Sequence, residues 1–427
     1  MSDVIDAIDD QTYEKVFDIE EDARRSGTGL IPDPYPLWAK LQAQAPVHPG
    51  TIAHCMGISE DAGSMFVPGF RYFTVFNFAG VSDVFTRKDD FSSELYHDMG
   101  INRKLGDNIL SMDGLRHRRY RNLMQEYFQP MSAGGWWNDH VIAGLVDQLV
   151  SRFEKQPSVD LNTQFFARLP MLTVTEGFGL SPTEGMAFRR ATQVTLDQSA
   201  TPAQQAEAER ASDEILQRVI RARQAKPEDD MISRLADAQL EEDDESTRPL
   251  TVEEITAFCR LIVFAGGGTT WRQLGITAMA LLNNPDQLAA VRADRSLLQN
   301  TILESVRWNT NVPLFPRKAM RDTTLQGVDI PKGSAIHVCI GAANRDPSRW
   351  DNPDKFDIFR PIQRSLAFAA GAHSCLGQHV ARQEIECALN ALLDRFPNIR
   401  WDPSQPPAKL SGGLIARAPG PLPVLLH

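Results

Sequence analysis

The chain has 427 residues, of which 42% are hydrophobic and 23% are charged, a composition that allows a large globular core. Its net charge of −11 at pH 7 argues against binding to nucleic acid or to anionic membranes. The acidic N-terminus does not match a signal peptide, and no stretch reaches the roughly 18 uninterrupted apolar residues of a membrane span. We therefore expect a soluble, cytoplasmic protein that binds neither nucleic acid nor membrane.

Five cysteines are spread along the chain: Cys55, Cys259, Cys339, Cys375 and Cys387. No two of them form a Cys-x-x-Cys pair, so the sequence contains neither that type of zinc site nor the attachment motif of a c-type haem. Their odd number and wide spacing fit a reducing compartment.

The first regular elements follow a polar lead-in. A turn at Asp33-Pro34 is predicted to open a short helix, and the aromatic and β-branched run at 73–78 predicts a strand. A helix-like segment follows at 81–87. Residues 94–112 show no regular period, and an irregular stretch of this length is either disordered or functional.

A helix beginning near Asp113 places His117 and Arg121 four residues apart, so both side chains point the same way. Two cations aimed together suit a bound anion. The alternative is a basic helix face in contact with solvent.

A long helix over 251–284 is apolar almost all round in its middle, which predicts that it is buried. It contains three consecutive glycines, 266–268, each costing on the order of 1 kcal/mol relative to alanine in a helix. A large flat ligand against the backbone explains them, and the alternative is a plain kink or close helix packing. Thr269 is predicted to bond to the carbonyl of Ala265, four residues earlier.

The next helix carries a buried apolar stripe, and Glu304 and Arg307 lie three residues apart on another face. From the spacing alone, the default interpretation of these two is a surface ion pair. Strands are then predicted at 323–325 and 336–340, followed by a turn-rich stretch over 341–361.

Cys375 lies between Gly371 and Gly377, with His373 just before it, and an amphipathic helix follows directly. The exposed N–H groups and the dipole at that helix N-terminus favour a thiolate. A thiolate in such a loop can be an axial ligand of haem iron. The alternative is a buried free cysteine, the usual state of a cytosolic cysteine.

Four segments together, in this order, resemble the cytochrome P450 family of haem-thiolate monooxygenases over residues 33–427. The matching motifs are Ala265-Gly266-x-Gly268-Thr269-Thr270, Glu304-x-x-Arg307, Ala342-Ala343-Asn344-Arg345-Asp346-Pro347 and Phe368-x-x-Gly371-x-His373-x-Cys375-x-Gly377. Each motif alone is weak, but four in the right order are very specific.

The resemblance implies a mainly α fold, a helical bundle around a haem with small peripheral β-sheets. The polar lead-in is expected to form an extension over 1–29, and the resemblance implies one haem domain over 30–427. Haem b would be bound without a covalent link, with Cys375 as the axial thiolate and the metal ligand. The implied haem contacts are His117, Arg121, Ala265, Arg317, His373, Cys375 and Gly377; of these, His117, Arg121, Arg317 and His373 match positions that hold the propionates.

The resemblance also changes the interpretation of the Glu304–Arg307 pair, which with Arg360 is expected to form a buried network that holds the turn-rich stretch. Thr269 matches the family's threonine on the oxygen side, which helps to deliver protons for O–O scission. The chain departs from the family at Gly268, where an aspartate or glutamate is usual. A water chain or an acid elsewhere is then expected to relay protons.

A hydrophobic substrate pocket is implied by a set of apolar side chains, some of which are expected to be ordinary core residues. The set comprises Leu261, Phe264, Ala265, Val312, Leu314 and Phe315, together with the 94–112 loop and the turn at Leu414 and Ile415.

The implied activity is insertion of one oxygen atom from O2 into a small hydrophobic molecule by hydroxylation, dealkylation or epoxidation. Electrons would come from a separate ferredoxin and its reductase, for which Arg116, Arg118 and Arg119 are a candidate docking patch or, alternatively, a solvated face. Two other functions stay open. One is peroxide-driven or non-redox haem-thiolate chemistry, which the missing acid at Gly268 keeps open and against which Thr269 argues. The other is a haem-based sensor, against which the lack of an effector segment argues.

Overall fold

The computed structural model describes residues 17–25, 29–59, 65–197 and 200–427. These residues fall into two compact units. The first comprises Phe17, 100–271 and 376–395, and the second comprises 18–99, 272–375 and 396–427. In the part of the chain that is described, no helix is long and apolar enough to cross a membrane.

The first unit is almost entirely helical. Its α-helices are α6 (Ile101–Leu105), α7 (Gly114–Gln125), α8 (Pro130–Ser132), α9 (Ala143–Ser151), α10 (Leu169–Gly177), α11 (Pro182–Leu196), α12 (Pro202–Ala225), α13 (Met231–Asp237), α14 (Val252–Leu282, whose last residues belong to the second unit) and α18 (Gln378–Arg395). A 3₁₀ turn covers Glu126–Phe128, and π-helical segments cover Ala133–Ile142 and Asn162–Phe166.

Local sequence explains where two of these helices begin. Ser181 and Glu184 form a capping box at the start of α11, as Thr201 and Gln204 do at the start of α12, and a proline follows each cap. Each box satisfies two backbone N–H groups that the first turn of the helix leaves without partners.

The second unit combines shorter helices with most of the strands. Its helices are α1 (Ile19–Arg25), α2 (Tyr35–Gln44), α3 (Ile52–Met56), α4 (Phe78–Thr86), α5 (Leu95–Asp98), α15 (Pro285–Ala293), α16 (Leu297–Trp308) and α17 (Ile340–Ala343), with a 3₁₀ turn at Gly371–His373. Its strands are β1 (Val47–Pro49), β2 (Tyr72–Val75), β3 (Phe91–Ser92), β7 (Leu314–Ala319), β8 (Thr323–Leu325), β9 (Val328–Ile330), β10 (Ala335–Cys339), β11 (Arg400–Trp401), β12 (Leu410–Gly412), β13 (Arg417–Pro419) and β14 (Pro423–Leu425). The remaining strands belong to the first unit: β4 (Ser158–Asp160), β5 (Gln239–Glu241) and β6 (Thr247–Pro249).

The main sheet of the second unit has the strand order β1-β2-β10-β7-β3. The central strand β10 is parallel to β2, with Ile336 opposite Phe73, and antiparallel to β7, with Ile336 opposite Arg317. All five residues of β10 are buried, as expected for a central strand with both faces covered. This pairing fixes the position of Arg317 within the unit.

Two buried apolar clusters hold the second unit together. One packs α4 on the sheet through Val81, Val84 and Phe85, and it extends to Leu366 and Ala370 just before the cysteine loop. The other is built on α2, and its members include Tyr35, Trp38, Leu314, Cys339 and Leu414.

Most sequence-predicted elements of this unit exist, with shifted boundaries. The strand predicted at 73–78 ends at Val75, because the Asn77 side chain accepts the backbone N–H of Gly80 and caps α4. The stretch 94–112 was predicted to lack regular structure, and this was wrong: it contains α5 and α6, and Leu95 and Leu105 are almost fully buried. Both helices are too short to show a helical period.

Two polar segments are more ordered than the sequence indicates. The predicted extension over 1–29 includes α1, where Ile19 is buried; residues 1–16 and 26–28 lie outside the described residues. The acidic run 241–245 starts at the last residue of β5 and continues as the exposed turn that leads to β6. The prediction of one domain over 30–427 stays a prediction.

Candidate active site

The loop carrying Cys375 is closed by its own backbone. The Cys375 N–H donates to the carbonyl of Phe368 at 2.8 Å, and the Ser374 N–H donates to Gly371 at 3.1 Å. The Cys375 side chain is exposed, and α18 begins three residues later with its first turn bonded to the Gly377 carbonyl. The fold therefore presents the thiol at the edge of a fixed loop rather than burying it in the core.

The two glycines of this loop have different roles. Gly371 has φ +70°, and a Cβ there would lie 2.4 Å from the carbonyl oxygen of Phe85, so only glycine fits where the loop touches α4. At Gly377, no described atom lies within 4 Å of a Cβ position. Space is therefore left beside Gly377, where the resemblance implies a haem contact.

Glu304 and Arg307 form a buried, two-point ion pair on α16. Arg307 Nε donates to Glu304 Oε2 and its Nη2 donates to Oε1, both at 2.7 Å, and the two side chains are 3% and 5% exposed. Such a bidentate pair fixes both side chains. The interpretation as a surface ion pair, which follows from the spacing alone, is wrong, because backbone carbonyls of later residues cover the pair.

Those carbonyls belong to the turn-rich stretch. Arg307 donates to the carbonyls of Asn344 at 3.0 Å, Pro353 at 2.8 Å and Lys355 at 3.2 Å. Arg360 lies on the other side of Glu304, 3.4 Å from Oε1. One carboxylate and two guanidinium groups therefore hold a segment that has little regular structure of its own.

Two buried amides add to this network, and sequence reasoning missed both as functional positions. Gln287 on α15 donates to the carbonyl of Phe356 at 3.0 Å and accepts the N–H of Ile358 at 2.9 Å. The Asn344 side chain accepts the N–H of Leu366 at 2.7 Å, which ties the network to the start of the cysteine loop. Asn344 lies inside a recognised motif, but no sequence pattern marks Gln287.

Arg317 is buried in β7 of the second unit. It lies over the Phe85 ring, with 5.2 Å from Cζ to the ring centroid, and it donates to the Pro316 carbonyl at 2.8 Å. It also forms a hydrogen bond with the hydroxyl of Tyr96. Burial raises the pKa of Tyr96, and Arg317 offsets part of that rise. Tyr96 comes from the stretch predicted to be an irregular loop.

On α7, His117 is buried and Arg121 is partly buried, one helical turn apart as predicted. The neighbouring arginines are less available than the sequence indicates. Arg116 pairs with Asp107 at 2.9 Å, and Arg119 pairs with Asp243 at 2.6 Å. Much of the positive charge of the candidate docking patch is therefore neutralised within the protein.

The middle of α14 is locally open, although the helix is otherwise largely buried. Ala265 is exposed and Phe264 partly so, whereas Gly268 is buried. Thr269 Oγ1 donates to the Ala265 carbonyl at 2.7 Å, as predicted. Ala265 and Thr269 therefore lie one helical turn apart, and the Ala265 carbonyl already accepts a hydrogen bond from the Thr269 hydroxyl.

Close helix packing explains two of the three glycines. A Cβ at Gly266 would lie 3.1 Å from Val174 Cγ2, and one at Gly267 would lie 3.2 Å from Met171 Sδ. Both neighbours belong to α10, so the glycines let α10 approach α14. Of the two explanations open from the sequence, the structure supports close packing at these two positions.

The predicted pocket residues divide into open and buried ones. Phe264, Val312 and Phe315 are partly exposed, and Leu261 is buried. Leu314 is 0% exposed and packs in the α2 cluster with Leu414, so neither lines an open surface. The expectation for these two is corrected: in β7, Leu314 packs in the α2 cluster, while Phe315 lies on the opposite face and packs partly against the α4 cluster.

The comparisons with known proteins decide the family. The family model described as Cytochrome P450 matches residues 201–425. The chain is 34% identical over 326 residues to Cytochrome P450 107B1 of Saccharopolyspora erythraea, covering 76% of this chain and 78% of that protein. It is 30% identical to Putative cytochrome P450 133B1 of Xylella fastidiosa over 88% of this chain and 91% of that protein. The chain belongs to the cytochrome P450 family.

Solved P450 structures agree. The structure of PksS, a cytochrome P450 of the Bacillus subtilis bacillaene polyketide synthase, superposes with a TM-score of 0.79 at 25% identity, covering 92% of this chain and 97% of that one. The predicted mainly α fold with small β-sheets is confirmed. The family is one of haem-thiolate monooxygenases, and this P450 is an enzyme of that class.

The residues described above fit a haem-thiolate group. The thiol of Cys375 is exposed on a loop that its own backbone holds, and space adjoins Gly377 on the helix side of that loop. On α14 the backbone is open at Ala265, as contact with a large flat group requires. A buried structural cysteine, the alternative interpretation of Cys375, would show neither exposure nor adjoining space.

Sequence reasoning also missed Glu384. This acid lies on the buried side of α18, next to Ile385 and three residues after Ala381, and it is 4% exposed. The signal was present in the sequence, because an acidic side chain stands within an apolar helical stripe.

Proposed function

We propose that this P450 inserts one oxygen atom from O2 into a small hydrophobic molecule by hydroxylation, dealkylation or epoxidation, using haem b and electrons from a separate ferredoxin and reductase in the cytoplasm. The observation that carries the proposal is the exposed Cys375 thiol on its hydrogen-bonded loop at the start of α18. When bound, the haem-thiolate group supplies dioxygen activation by two electrons.

The chain's own residues have distinct tasks in this proposal. Cys375 ligates the iron, and Arg317, His373, His117 and Arg121 hold the propionates. Ala265 and Gly377 leave the backbone free to contact the haem. Thr269 orients a proton donor toward the oxygen by exchanging its bond to the Ala265 carbonyl for one to the reacting group. Glu304, Arg307 and Arg360 keep the segment before the cysteine loop in place.

Apolar, partly open side chains support a hydrophobic substrate. Of the predicted pocket residues, Phe264, Val312, Phe315 and Ile415 are partly exposed and Ala265 is exposed. The name of PksS refers to polyketide biosynthesis. HmtN, a structural relative with 28% identity and a TM-score of 0.71, is described as a post-tailoring hydroxylase in himastatin biosynthesis. Natural-product scaffolds therefore belong in the substrate search with terpenoids, steroids, aromatic acids and ethers.

One observation favours a second function. Position 268 carries a buried glycine where the family usually carries an acid, so the usual proton donor beside Thr269 is missing. Peroxide brings both oxygen atoms already reduced and protonated, so a peroxide-driven enzyme has less need of that donor. Turnover with ferredoxin and reductase, compared with turnover with hydrogen peroxide, separates the two functions.

A carbon-monoxide difference spectrum of the reduced protein tests the central assignment. We expect the red-shifted Soret band of thiolate ligation in the wild type. We also expect it in the control variant Cys387→Ser, which removes a different, partly buried thiol on α18. We expect its loss in Cys375→Ser. The same band in Cys375→Ser, or its loss only in Cys387→Ser, would overturn the assignment. A spin-state titration against the substrate panel then identifies the substrate class.

A further inference from the structure

The hairpin of β12 and β13 ends in a tight turn that carries one buried and one partly exposed apolar side chain. The N–H of Gly413 donates to the carbonyl of Ala416 at 3.0 Å and closes this turn. Leu414 is 0% exposed and packs in the α2 cluster, whereas Ile415 stays partly exposed. Leu414 therefore anchors the turn in the core, and Ile415 is the apolar side chain that the turn presents.

Arg417 lies at the base of this hairpin and is only 1% exposed. Its Nη1 donates to the carbonyl of Ile31 at 2.9 Å and to that of Gly412, its partner across the hairpin, at 3.3 Å. Among the described residues no carboxylate is hydrogen-bonded to it, and the exposed Asp33 acts on it only at longer range. A buried guanidinium without a carboxylate partner is costly to desolvate, so stability alone does not account for this arginine.

The backbone of Arg417 also contacts a second segment of the chain. Its N–H donates to the carbonyl of Asn311 at 2.9 Å. The segment 309–313 follows α16, has no regular secondary structure and includes Val312, a member of the predicted pocket. Arg417 and the three carbonyls that it bonds form what we call the Arg417 clamp: Ile31, Asn311, Gly412 and Arg417.

Val312 is held on both sides by backbone hydrogen bonds. Arg417 bonds to Asn311, just before it, and the N–H of Gly341 donates to the carbonyl of Pro313, just after it, at 3.1 Å. Because this segment belongs to neither a helix nor a strand, these distant partners set where Val312 lies. A movement of the hairpin would therefore move the backbone beside Val312 as well.

Val312 and Ile415 are partly exposed apolar side chains of the predicted pocket, and the Arg417 clamp fixes the backbone near each of them. We propose that Arg417 is a positioning residue for substrate selectivity: it sets the separation of Val312 and Ile415, and so the size of the hydrophobic group that the pocket accepts. This inference rests on the proposed function. Arg417 itself touches no substrate, because it lies buried at the base of the hairpin.

A first experiment measures the clamp itself in the haem-loaded, full-length protein and needs no substrate. Arg417→Met replaces the guanidinium by an apolar side chain, and amide hydrogen exchange in peptides covering 410–419 should become about tenfold faster. The β8–β9 hairpin at 323–330 should keep its exchange rate. The matched control is Arg400→Met, because the exposed Arg400 also donates from one Nη1 to two backbone carbonyls. Wild-type exchange of 410–419 in Arg417→Met would overturn the inference.

A second experiment compares two azoles that bind haem iron through a ring nitrogen. Imidazole is small, whereas 4-phenylimidazole adds an aromatic ring that must fit between the side chains of the pocket. In Arg417→Met we expect the Kd of 4-phenylimidazole, followed by the Soret shift, to rise about tenfold, and that of imidazole to change by less than about twofold. Arg400→Met should change neither. Equal changes for the two azoles, or no change for either, would overturn the inference.

Two further variants separate positioning from loss of the fold. Arg417→Lys keeps the charge and hydrogen-bond donors, so the Kd of 4-phenylimidazole should stay within about threefold of the wild type. Equal Kd values in the lysine and methionine variants would overturn the inference. Ile415→Ala leaves the clamp in place, and we expect it to raise the Kd of 4-phenylimidazole about threefold with unchanged haem content. Wild-type affinity of Ile415→Ala would overturn the inference even if Arg417→Met did not fold.

The proposed function can fail separately from this inference. If the reduced wild type lacked the red-shifted Soret band of thiolate ligation while exchange in 410–419 still became faster in Arg417→Met, the monooxygenase proposal would fail and the Arg417 clamp would stand. If the band was present and Arg417→Met bound both azoles like the wild type, the proposed function would stand and the selectivity role of Arg417 would fail.

Discussion

Arg307 Nε lies 2.7 Å from Glu304 Oε2, and the same guanidinium donates to three backbone carbonyls of a segment some forty residues further along the chain. With the second bond to Glu304, from Nη2 to Oε1, five hydrogen bonds are therefore lost together if the side chain is removed. Because Glu304 would be left as a buried charge with only the longer contact to Arg360, at 3.4 Å, we expect Arg307→Ala to lower the free energy of unfolding by about 3 kcal/mol. Urea unfolding measures this loss.

The control is the ion pair between Arg345 and Asp354, with an N–O distance of 3.1 Å; its carboxylate is 74% exposed, although the Arg345 side chain is only 12% exposed. Asp354→Ala should cost less than about 1 kcal/mol, because solvent screens that pair. Arg307→Lys keeps the charge but not the fork of donors, so we expect an intermediate loss. Equal effects of Arg307→Ala and Asp354→Ala would contradict the role given to the buried network.

The two glycines beside Cys375 should respond differently to alanine. Gly371→Ala introduces a Cβ 2.4 Å from the Phe85 carbonyl oxygen in a left-handed backbone, so we expect a loss of about 1–3 kcal/mol in the free energy of unfolding of the apoprotein. Gly377→Ala meets no described atom within 4 Å and should leave the apoprotein stable.

Haem loading then separates the two effects. If haem contacts Gly377 as proposed, Gly377→Ala should lower the haem content per protein although the apoprotein keeps its stability. Absorbance at the Soret band relative to protein concentration measures this content. Wild-type loading of Gly377→Ala would argue against that contact, and wild-type stability of Gly371→Ala would argue against the closed cysteine loop.

His337 makes stability depend on pH. Its side chain is fully buried in β10, its Nδ1 accepts the N–H of Ile52 at 3.0 Å, and burial lowers its pKa from 6.5 to about 4. Below pH 6.5 the unfolded chain takes up a proton that the folded protein does not accept until about pH 4. The stability from neutral His337 is therefore complete above pH 6.5 and is lost as the pH falls toward 4, by up to about 3 kcal/mol.

Urea unfolding at a series of pH values checks this expectation. His337→Asn should flatten the dependence of stability on pH between 6.5 and 4, since no imidazole is then protonated on unfolding. His54→Asn, at an exposed site on α3, should keep the wild-type slope. The same slope in His337→Asn and the wild type would show that another group controls acid stability.

Short-range sequence patterns predicted the helices, the Thr269 bond to Ala265 and the cysteine loop, because each depends on residues close together in the chain. They did not predict burial that depends on distant partners. The spacing of Glu304 and Arg307 indicated a surface pair, since nothing local reveals the carbonyls that cover it. For the same reason, the sequence could not decide between ligand contact and α10 packing at Gly267.

Gly268→Asp tests whether protons already reach the oxygen side of the site without an acid at position 268. If a water chain or an acid elsewhere relays them, as expected from the sequence, the ratio of product to consumed NADH should change by less than about twofold. Gly268→Asn has nearly the same shape as the aspartate variant without an acid and is the matched control. A gain of about tenfold in Gly268→Asp that is absent from Gly268→Asn would mean that no effective relay exists in the wild type.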